Sequence, residues 1–286
     1  MEKLNGNHKR VSLQKKRLIS GIVYYICMSA LSIVVAFPFV WMVMSSFKTS
    51  PEFYYLVPTF FPEHFIWDNY LELIQKWNFL SYYKNSIFIT LVQVLANLCI
   101  VLCAGYGFAK YEFKGKIFFF VMILSSTMIP WVATIIPLYI LANSLSLVDT
   151  YLGLIIPGMA NAFNIFLARN FMTSIPTALI ESARIEGAGE FKIFSNIVIP
   201  AVKPLIAVIT IQKMIDSWNA FQWPLLVTNS ESLRTIPLAI AKLSSQYYDS
   251  YNLKMAAATL AIIPVLLVYT IFQRYFVEGI TLSGIK

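Results

Sequence analysis

Apolar residues in this chain come in long unbroken runs, not in the alternation of a half-buried strand or the single stripe of a surface helix. The runs fall at about 18–46, 83–109, 117–143, 151–171, 200–227 and 255–277, with short charged stretches between them. Each reaches the roughly 20 residues that a helix needs to cross the hydrocarbon layer. Unpaired backbone groups at that depth cost several kcal/mol each, so the runs are expected to be helical. The pattern predicts an all-α polytopic membrane protein with six transmembrane helices. It divides into a tail at 1–17, a membrane domain at 18–277 and a tail at 278–286. Pro130 and Pro137 in the third run, Pro157 in the fourth and Pro264 in the sixth are expected to kink or break their helices.

Composition agrees with this reading. Hydrophobic residues make up 58% of the 286 and charged residues 13%, against roughly 25% charged in a soluble domain. Such a chain cannot cover its surface with polar groups, so lipid must be part of its solvent. The net charge of +8 is spread between the apolar runs, which argues for membrane topology and against nucleic acid. With the N-terminus inside, the N-tail, 110–116, 169–203 and the C-tail with Arg274 just before it carry fifteen Lys/Arg, the outer loops with the adjoining Lys84 six, and the membrane one, Lys213. That bias predicts an N-in/C-in orientation in a bacterial-type cytoplasmic membrane. The first run is too long for a signal peptide. Cys27, Cys99 and Cys103 lie inside apolar runs and show no metal or disulfide spacing. The outer loop 47–82 holds Phe53, Tyr54, Tyr55, Phe60, Phe61 and Trp67, rings suited to the headgroup layer.

The most informative stretch is Ser174–Pro204, SIPTALIESARIEGAGEFKIFSNIVIPAVKP. Ser174 is expected to cap a helix that has Pro176 just inside its start. Residues 177–186 form that helix, Gly187 ends it, and a second short helix follows at about 190–198. The pair is too short to span and too apolar for a free loop, since Leu179, Ile180, Ala183, Ile185, Ala188, Phe191 and Phe194 all need a partner surface. A helix lying on the bilayer normally carries many Lys/Arg on its polar face. Here Glu181, Glu186 and Glu190 offset Arg184 and Lys192.

This stretch resembles the EAA signature of ABC-importer permeases, EAA-x3-G-x9-I-x-LP. It reads here as Glu181-Ser182-Ala183, Gly187, Ile197 and Ile199-Pro200, departing at Ser182 and Ile199. AGYGFAKYEFKGK at Ala104–Lys116, SWNAFQWPLLV at Ser217–Val227, RTIPLAI at Arg234–Ile240 and QRYFVEGITLSGIK at Gln273–Lys286 are similar to the carbohydrate-uptake branch. Within that branch they resemble the second permease of maltose-type transporters. The resemblance implies a type I importer fold and a coupling element at 174–199 that docks in a cleft of an ATP-hydrolysing subunit. On that element Glu181, Ser182, Ala183, Arg184, Gly187, Phe194, Ile197 and Pro200 are the candidate ATPase-coupling residues. It also implies a second permease, two ATP-binding subunits and an extracytoplasmic solute-binding protein, with the C-terminal tail reaching the ATPase interface. The chain has no G-x4-GK[ST] phosphate loop. It is therefore expected to be a transport subunit and not an enzyme, without a cofactor of its own, ATP and Mg being held by the partner subunits.

Several polar residues fall deep in the runs: Gln93, Asn97, Asn161, Asn164, Lys213, Asp216 and Asn219. They are candidate pathway-lining residues, because polar groups at that depth face a bundle interior or a watery cavity. For the amides, interhelical hydrogen bonding stands as an equal reading. Lys213 and Asp216 share a helix face at i, i+3 and are expected to pair there. Trp131, Trp218 and Trp223 offer flat faces to sugar rings, with interfacial packing as the commoner use. His8 and His64 lie outside the runs, which excludes a buried histidine relay. The sequence therefore points to an ATP-driven importer of a sugar or oligosaccharide. The alternatives are another solute, such as a polyamine or glycerol phosphate, or an ion-driven carrier, for which no inverted repeat is visible.

Overall fold

The computed structural model describes the backbone at 2–243 and 250–283 and side chains at 20–243 and 250–273. Its helices are α1 (Glu2–Ser45), α2 (Asp68–Gln75), α3 (Phe79–Lys110), α4 (Lys116–Ser126), α5 (Trp131–Ser144), α6 (Tyr151–Ile155) and α7 (Ala162–Thr173). They continue with α8 (Thr177–Ile185), α9 (Glu190–Ile193), α10 (Ile199–Ala201), α11 (Lys203–Trp218), α12 (Gln222–Val227), α13 (Ile236–Lys242) and α14 (Tyr251–Ser283). No strand occurs among the described residues. Three stretches are long and apolar enough to cross a membrane singly: Ser20–Ser45, Phe79–Lys110 and Tyr251–Gln273. Three bent pairs bring the number to as many as six. The tail expected at 278–286 begins inside α14, and its side chains, with residues 284–286, lie outside the described residues. So do the side chains of the N-terminal tail.

Breaks occur at Pro130 and Pro157, as expected, whereas Pro137 and Pro264 lie inside the continuous helices α5 and α14. The third run breaks by 101° between α4 and α5. Ser125, Ser126 and Thr127 each turn a hydroxyl back onto a carbonyl of the preceding turn, at 2.8, 2.6 and 2.7 Å. Pro130 then supplies no N–H and drives Ile129 away from helical geometry. The fourth run bends by 43° at Pro157–Gly158. The fifth bends by 79° between α10 and α11, ends at Trp218, and resumes as the separate α12. Just before that bend, residues Phe194–Val198 form a π-helical turn in which the Ile199 N–H reaches the Phe194 carbonyl. Pro200 cannot donate to a carbonyl one turn back, so a widened turn at this point accommodates it.

The chain forms two compact units, Met1–Glu72 with Asp249–Leu260, and Leu73–Tyr248 with Ala261–Lys286. In the first, the span of α1 is exposed along its length, from Ile22 to Val40, as lipid contact requires. It runs into a loop knotted by buried polar groups. Lys48 donates to the Thr59 carbonyl and lies 4.7 Å over the Trp41 ring. Glu52 accepts from the Thr49 N–H at 2.8 Å and the Glu63 N–H at 3.0 Å. Asn69 donates to the Ser46 and Lys48 carbonyls, and Asn252 donates to Asn69. Burial pushes the Lys48 ammonium below its ordinary range. The aromatic loop expected at the interface is therefore an ordered structure.

In the second unit α3 is the spine, packed against α7 on one side and α11 on another. Gly105 makes the α3–α7 approach possible, because a Cβ there would stand 2.6 Å from the Ala168 Cβ. Val101, Leu102, Tyr106, Ile165, Ala168 and Met172 form the seam, and Ile180, Ile193, Val198 and Val202 extend the same core into the 175–202 segment.

Candidate functional site

Two arrangements in the second unit carry chemistry. The first is the helix–turn–helix at 175–198. Helix α8 spans Thr177–Ile185, and its last turn closes with Gly187 N–H on the Arg184 carbonyl at 3.0 Å and Ala188 N–H on the Ala183 carbonyl at 2.9 Å. Gly187 holds φ at +82°, a conformation that costs an L-residue roughly 1–2 kcal/mol. Ser174 does not cap α8: it ends α7, and its hydroxyl donates to the Phe171 carbonyl at 2.7 Å. Pro176 occupies the cap position of α8 instead.

One face of the element is anchored. Ile180 and Ile193 are fully enclosed in the core, each burial being worth about 1.5–3 kcal/mol against water. Across the turn the Arg184 Nε donates to the Glu190 Oε1 at 2.7 Å. The other oxygen of Glu190 accepts from the Tyr111 hydroxyl and, at 3.5 Å, from Tyr106. The hydrogen bond to Glu190 holds the Arg184 guanidinium above its already high ordinary range. Lys110, at the end of α3, donates to the Ile175 carbonyl. The opposite face is bare: Ile185 is 88% and Phe191 83% exposed, with Leu179 beside them and Glu181 and Ser182 also at the surface. Of the expected coupling residues, Phe194 and Ile197 turn inward and pack on the core, Ala183 is half-buried, and Pro200 is exposed. Sequence reasoning missed Glu190, Tyr106 and Tyr111 as a clamp. Arg184 and Glu190 stand six positions apart, and only the intervening glycine turn brings them together.

The second arrangement is a cavity of about 820 Å³ in the α3, α4–α7, α11–α13 region. Gln93, Asn161, Lys213 and Asp216 line it, as do Trp131, Trp223 and Thr235. Three expected lining residues do not. Asn97 and Asn164 face one another in the α3–α7 seam, with Asn164 Nδ2 at 3.4 Å from Asn97 Oδ1 and Asn97 donating to the Met159 carbonyl at 3.3 Å. Asn219 stands exposed at the end of α11. Of the other amides, Asn161 caps α7 by accepting from the Asn164 N–H at 3.0 Å. Gln93 donates to the Leu154 and Ile155 carbonyls at 2.9 and 3.3 Å, beside the bend of the fourth run. Lys213 and Asp216 share the wall but form no ion pair within 4 Å, which corrects the expected pairing. Trp218 is enclosed, its indole donating to the Ala261 carbonyl at 3.0 Å, so it is a packing residue. Trp223 donates to the Gly153 carbonyl at 2.8 Å and meets Trp131 edge-on at the cavity.

Residues 96–282 match the family of binding-protein-dependent transport system inner membrane components. The chain belongs to that family. This inner membrane component is thus a multi-pass membrane protein of a transport system. It is 32% identical over 259 residues to the arabinooligosaccharides transport system permease of Halalkalibacterium halodurans, which covers 90% of this chain and 93% of that one. It is 32% identical over 271 residues to the lactose transport system permease of Rhizobium radiobacter, covering 95% and 98%. The sn-glycerol-3-phosphate transport system permease of Brucella suis biovar 1 is 31% identical over 275 residues, covering 93% and 98%. Among solved structures, a bacterial ABC transporter that imports the acidic polysaccharide alginate superposes with a TM-score of 0.79 at 27% identity, covering 90% of this chain and 96% of that one.

Proposed function

We propose that this inner membrane component is the permease subunit of an ATP-driven importer for a sugar or oligosaccharide, in a bacterial cytoplasmic membrane with both termini inside. It works with a second permease, two ATP-binding subunits and an extracytoplasmic binding protein. The observation that carries the reading is the bare tip of the 175–198 element, with Ile185 and Phe191 presented to solvent on a turn that Gly187 and the Arg184–Glu190 clamp hold rigid. Single exposed hydrophobes are ordinary. Large ones on a short, internally braced turn are placed to enter another surface. A motor docked there would move α8 and α9, and the enclosed Ile180 and Ile193 would pass that movement to the α3–α7 seam. The carbohydrate reading draws support from the relatives that import arabinooligosaccharides and lactose. The glycerol phosphate relative keeps another solute as the second reading.

The test is the double variant Ile185→Ser, Phe191→Ser in proteoliposomes holding the whole assembly. The altered side chains have little core to lose, so the permease is expected to insert normally. The ATP-binding subunits should then co-purify at least tenfold less well, and import should disappear. Import at the wild-type rate would remove the docking role.

A further inference from the structure

The loop that follows α1 doubles back along it. Phe60 packs on Phe37 and on Trp41, with ring centroids 5.7 Å apart in each case. Both partners belong to the span Ser20–Ser45, whose 26 residues are more than a bilayer needs. At ~1.5 Å per residue the span measures ~39 Å, against ~30 Å of hydrocarbon. Phe37 stands eight residues before Ser45, which is ~12 Å along the axis. That exceeds the ~9 Å of surplus length, so Phe37 lies below the hydrocarbon boundary even if the whole surplus falls at this end. A loop ring that touches Phe37 is therefore held at membrane depth.

The backbone around that ring is served from within. The Thr59 carbonyl accepts from the Lys48 ammonium, the Glu63 N–H donates to the Glu52 carboxylate at 3.0 Å, and the Ile66 N–H donates to the Phe47 carbonyl at 3.2 Å. Lys48 and Glu52 are both buried. A loop in water leaves such charges in solvent. Near hydrocarbon, polar backbone groups must find partners inside the protein, and here two buried charged side chains supply them. The side chains facing away are of the opposite kind. Leu56 at the tip is fully exposed, Val57 is 78% exposed, and Phe61, Phe65 and Trp67 are each at least 60% exposed. Residues 51–67 contain no Lys or Arg, so the loop is not built to reach a lipid surface by charge.

We infer that residues 54–61 form a re-entrant anchor. Its tip, Leu56 and Val57 with Phe61 beside them, enters the outer leaflet where headgroups meet acyl chains, and its partner is phospholipid. The exposed face of α1 from Ile22 to Val40 is the same interface, and the Phe60–Phe37 contact makes the loop its continuation. The anchor also holds a second helix. Phe53 stacks on Tyr251 at 6.0 Å and Asn252 donates to Asn69 at 2.7 Å, which ties the start of α14 to the loop. The outer ends of α1 and α14 are thereby fixed at one depth. The inference takes the outer side from the proposed orientation. It needs no motor, cargo or partner subunit, so it stands or falls apart from the importer reading.

The experiment is electron paramagnetic resonance with a nitroxide at Leu56→Cys or Val57→Cys and, as the bilayer reference, at Ile33→Cys. Cys27, Cys99 and Cys103 are first replaced by Ala, so that each chain carries one label. The full chain, with the subunits that co-purify with it, is placed in vesicles of phosphatidylethanolamine and phosphatidylglycerol. Oxygen concentrates in acyl chains and a nickel chelate in water. Oxygen collisions should dominate at 56 and 57, as at Ile33 but less strongly. The labels replace side chains in the open, so the thermal unfolding midpoint should stay unchanged. Added salt should leave the ratio in place, because the insertion is apolar. Leu56→Glu should invert the ratio read at Val57→Cys. Nickel dominance in the loop without that glutamate would put the tip in water and overturn the anchor. Loss of the oxygen signal in salt would overturn its apolar mode. Few collisions with either reagent would mean that protein covers the tip, and would overturn lipid as the partner. Each of these results leaves the importer reading intact, and failed import in the same vesicles would leave the anchor intact.

Discussion

The 175–198 turn and the 820 Å³ cavity are incomplete in opposite ways. In the turn the polar groups are settled: Arg184, Glu190, Tyr111 and Tyr106 satisfy one another, and Lys110 caps the Ile175 carbonyl. What is left over is apolar, Ile185 and Phe191 standing in the open. In the cavity Trp223 is bonded to Gly153 and meets Trp131, itself 43% exposed, while Lys213 and Asp216 form no ion pair within 4 Å among the described residues. A region that exposes hydrophobes on a rigid polar brace awaits a protein surface. A half-open cavity with an ammonium and a carboxylate on its wall suits water or a small polar solute. Helix α3 runs between the two, reaching the cavity at Gln93 and the clamp at Tyr106.

The largest effect is expected where that shared strut would fail. Gly105→Val puts a branched side chain where a single Cβ already stands 2.6 Å from the Ala168 Cβ and 3.1 Å from its backbone. Overpacking of this kind costs about 1–3 kcal/mol or more. Both regions should be lost together, read as a collapse in the yield of monodisperse protein from detergent. Retention of wild-type yield would mean that α3 and α7 can separate without harm and that the two ends are not mechanically joined.

A middle effect comes from Glu190→Gln, which keeps the shape of the clamp and removes its charge. Arg184 then faces a neutral acceptor, and the bond roughly halves in strength. Insertion and ATPase attachment are expected to persist, since Ile185 and Phe191 are untouched, while the solute moved per ATP hydrolysed falls several-fold. A parallel fall in hydrolysis and import would instead mean that Glu190 acts on docking and not on transmission.

The turn was far more legible in the sequence than the cavity. Its signals are local: a glycine two residues past a proline-started helix, two apolar faces, and a spacing that fixes a family. Ser174 was misplaced because a hydroxyl serves a helix end as well as a helix start, and only the observed bond to Phe171 decides which. The cavity is assembled from α3, α11 and the segments around four breaks, and the prolines of the sequence mark where a run can break without giving the angle. Pro130 announced a bend but not the 101° that places Trp131 at the wall. Depth in a run also failed to separate Gln93 from Asn97, four residues apart on one face of α3. The first reaches the cavity and the second is held in the α3–α7 seam.

That last distinction yields the smallest prediction. Asn164 is almost wholly enclosed, its Nδ2 lies 3.4 Å from Asn97 Oδ1, and its own Oδ1 has no partner. Asn164→Ala removes one long hydrogen bond and, with it, an unsatisfied acceptor. Interhelical hydrogen bonds in membranes average about 0.6 kcal/mol, and relief of the orphan oxygen offsets part of that. The thermal unfolding midpoint should barely move, and KM for cargo should not move at all. A raised KM in Asn164→Ala would mean that the seam belongs to the cargo path and that Asn164 is more than a packing residue.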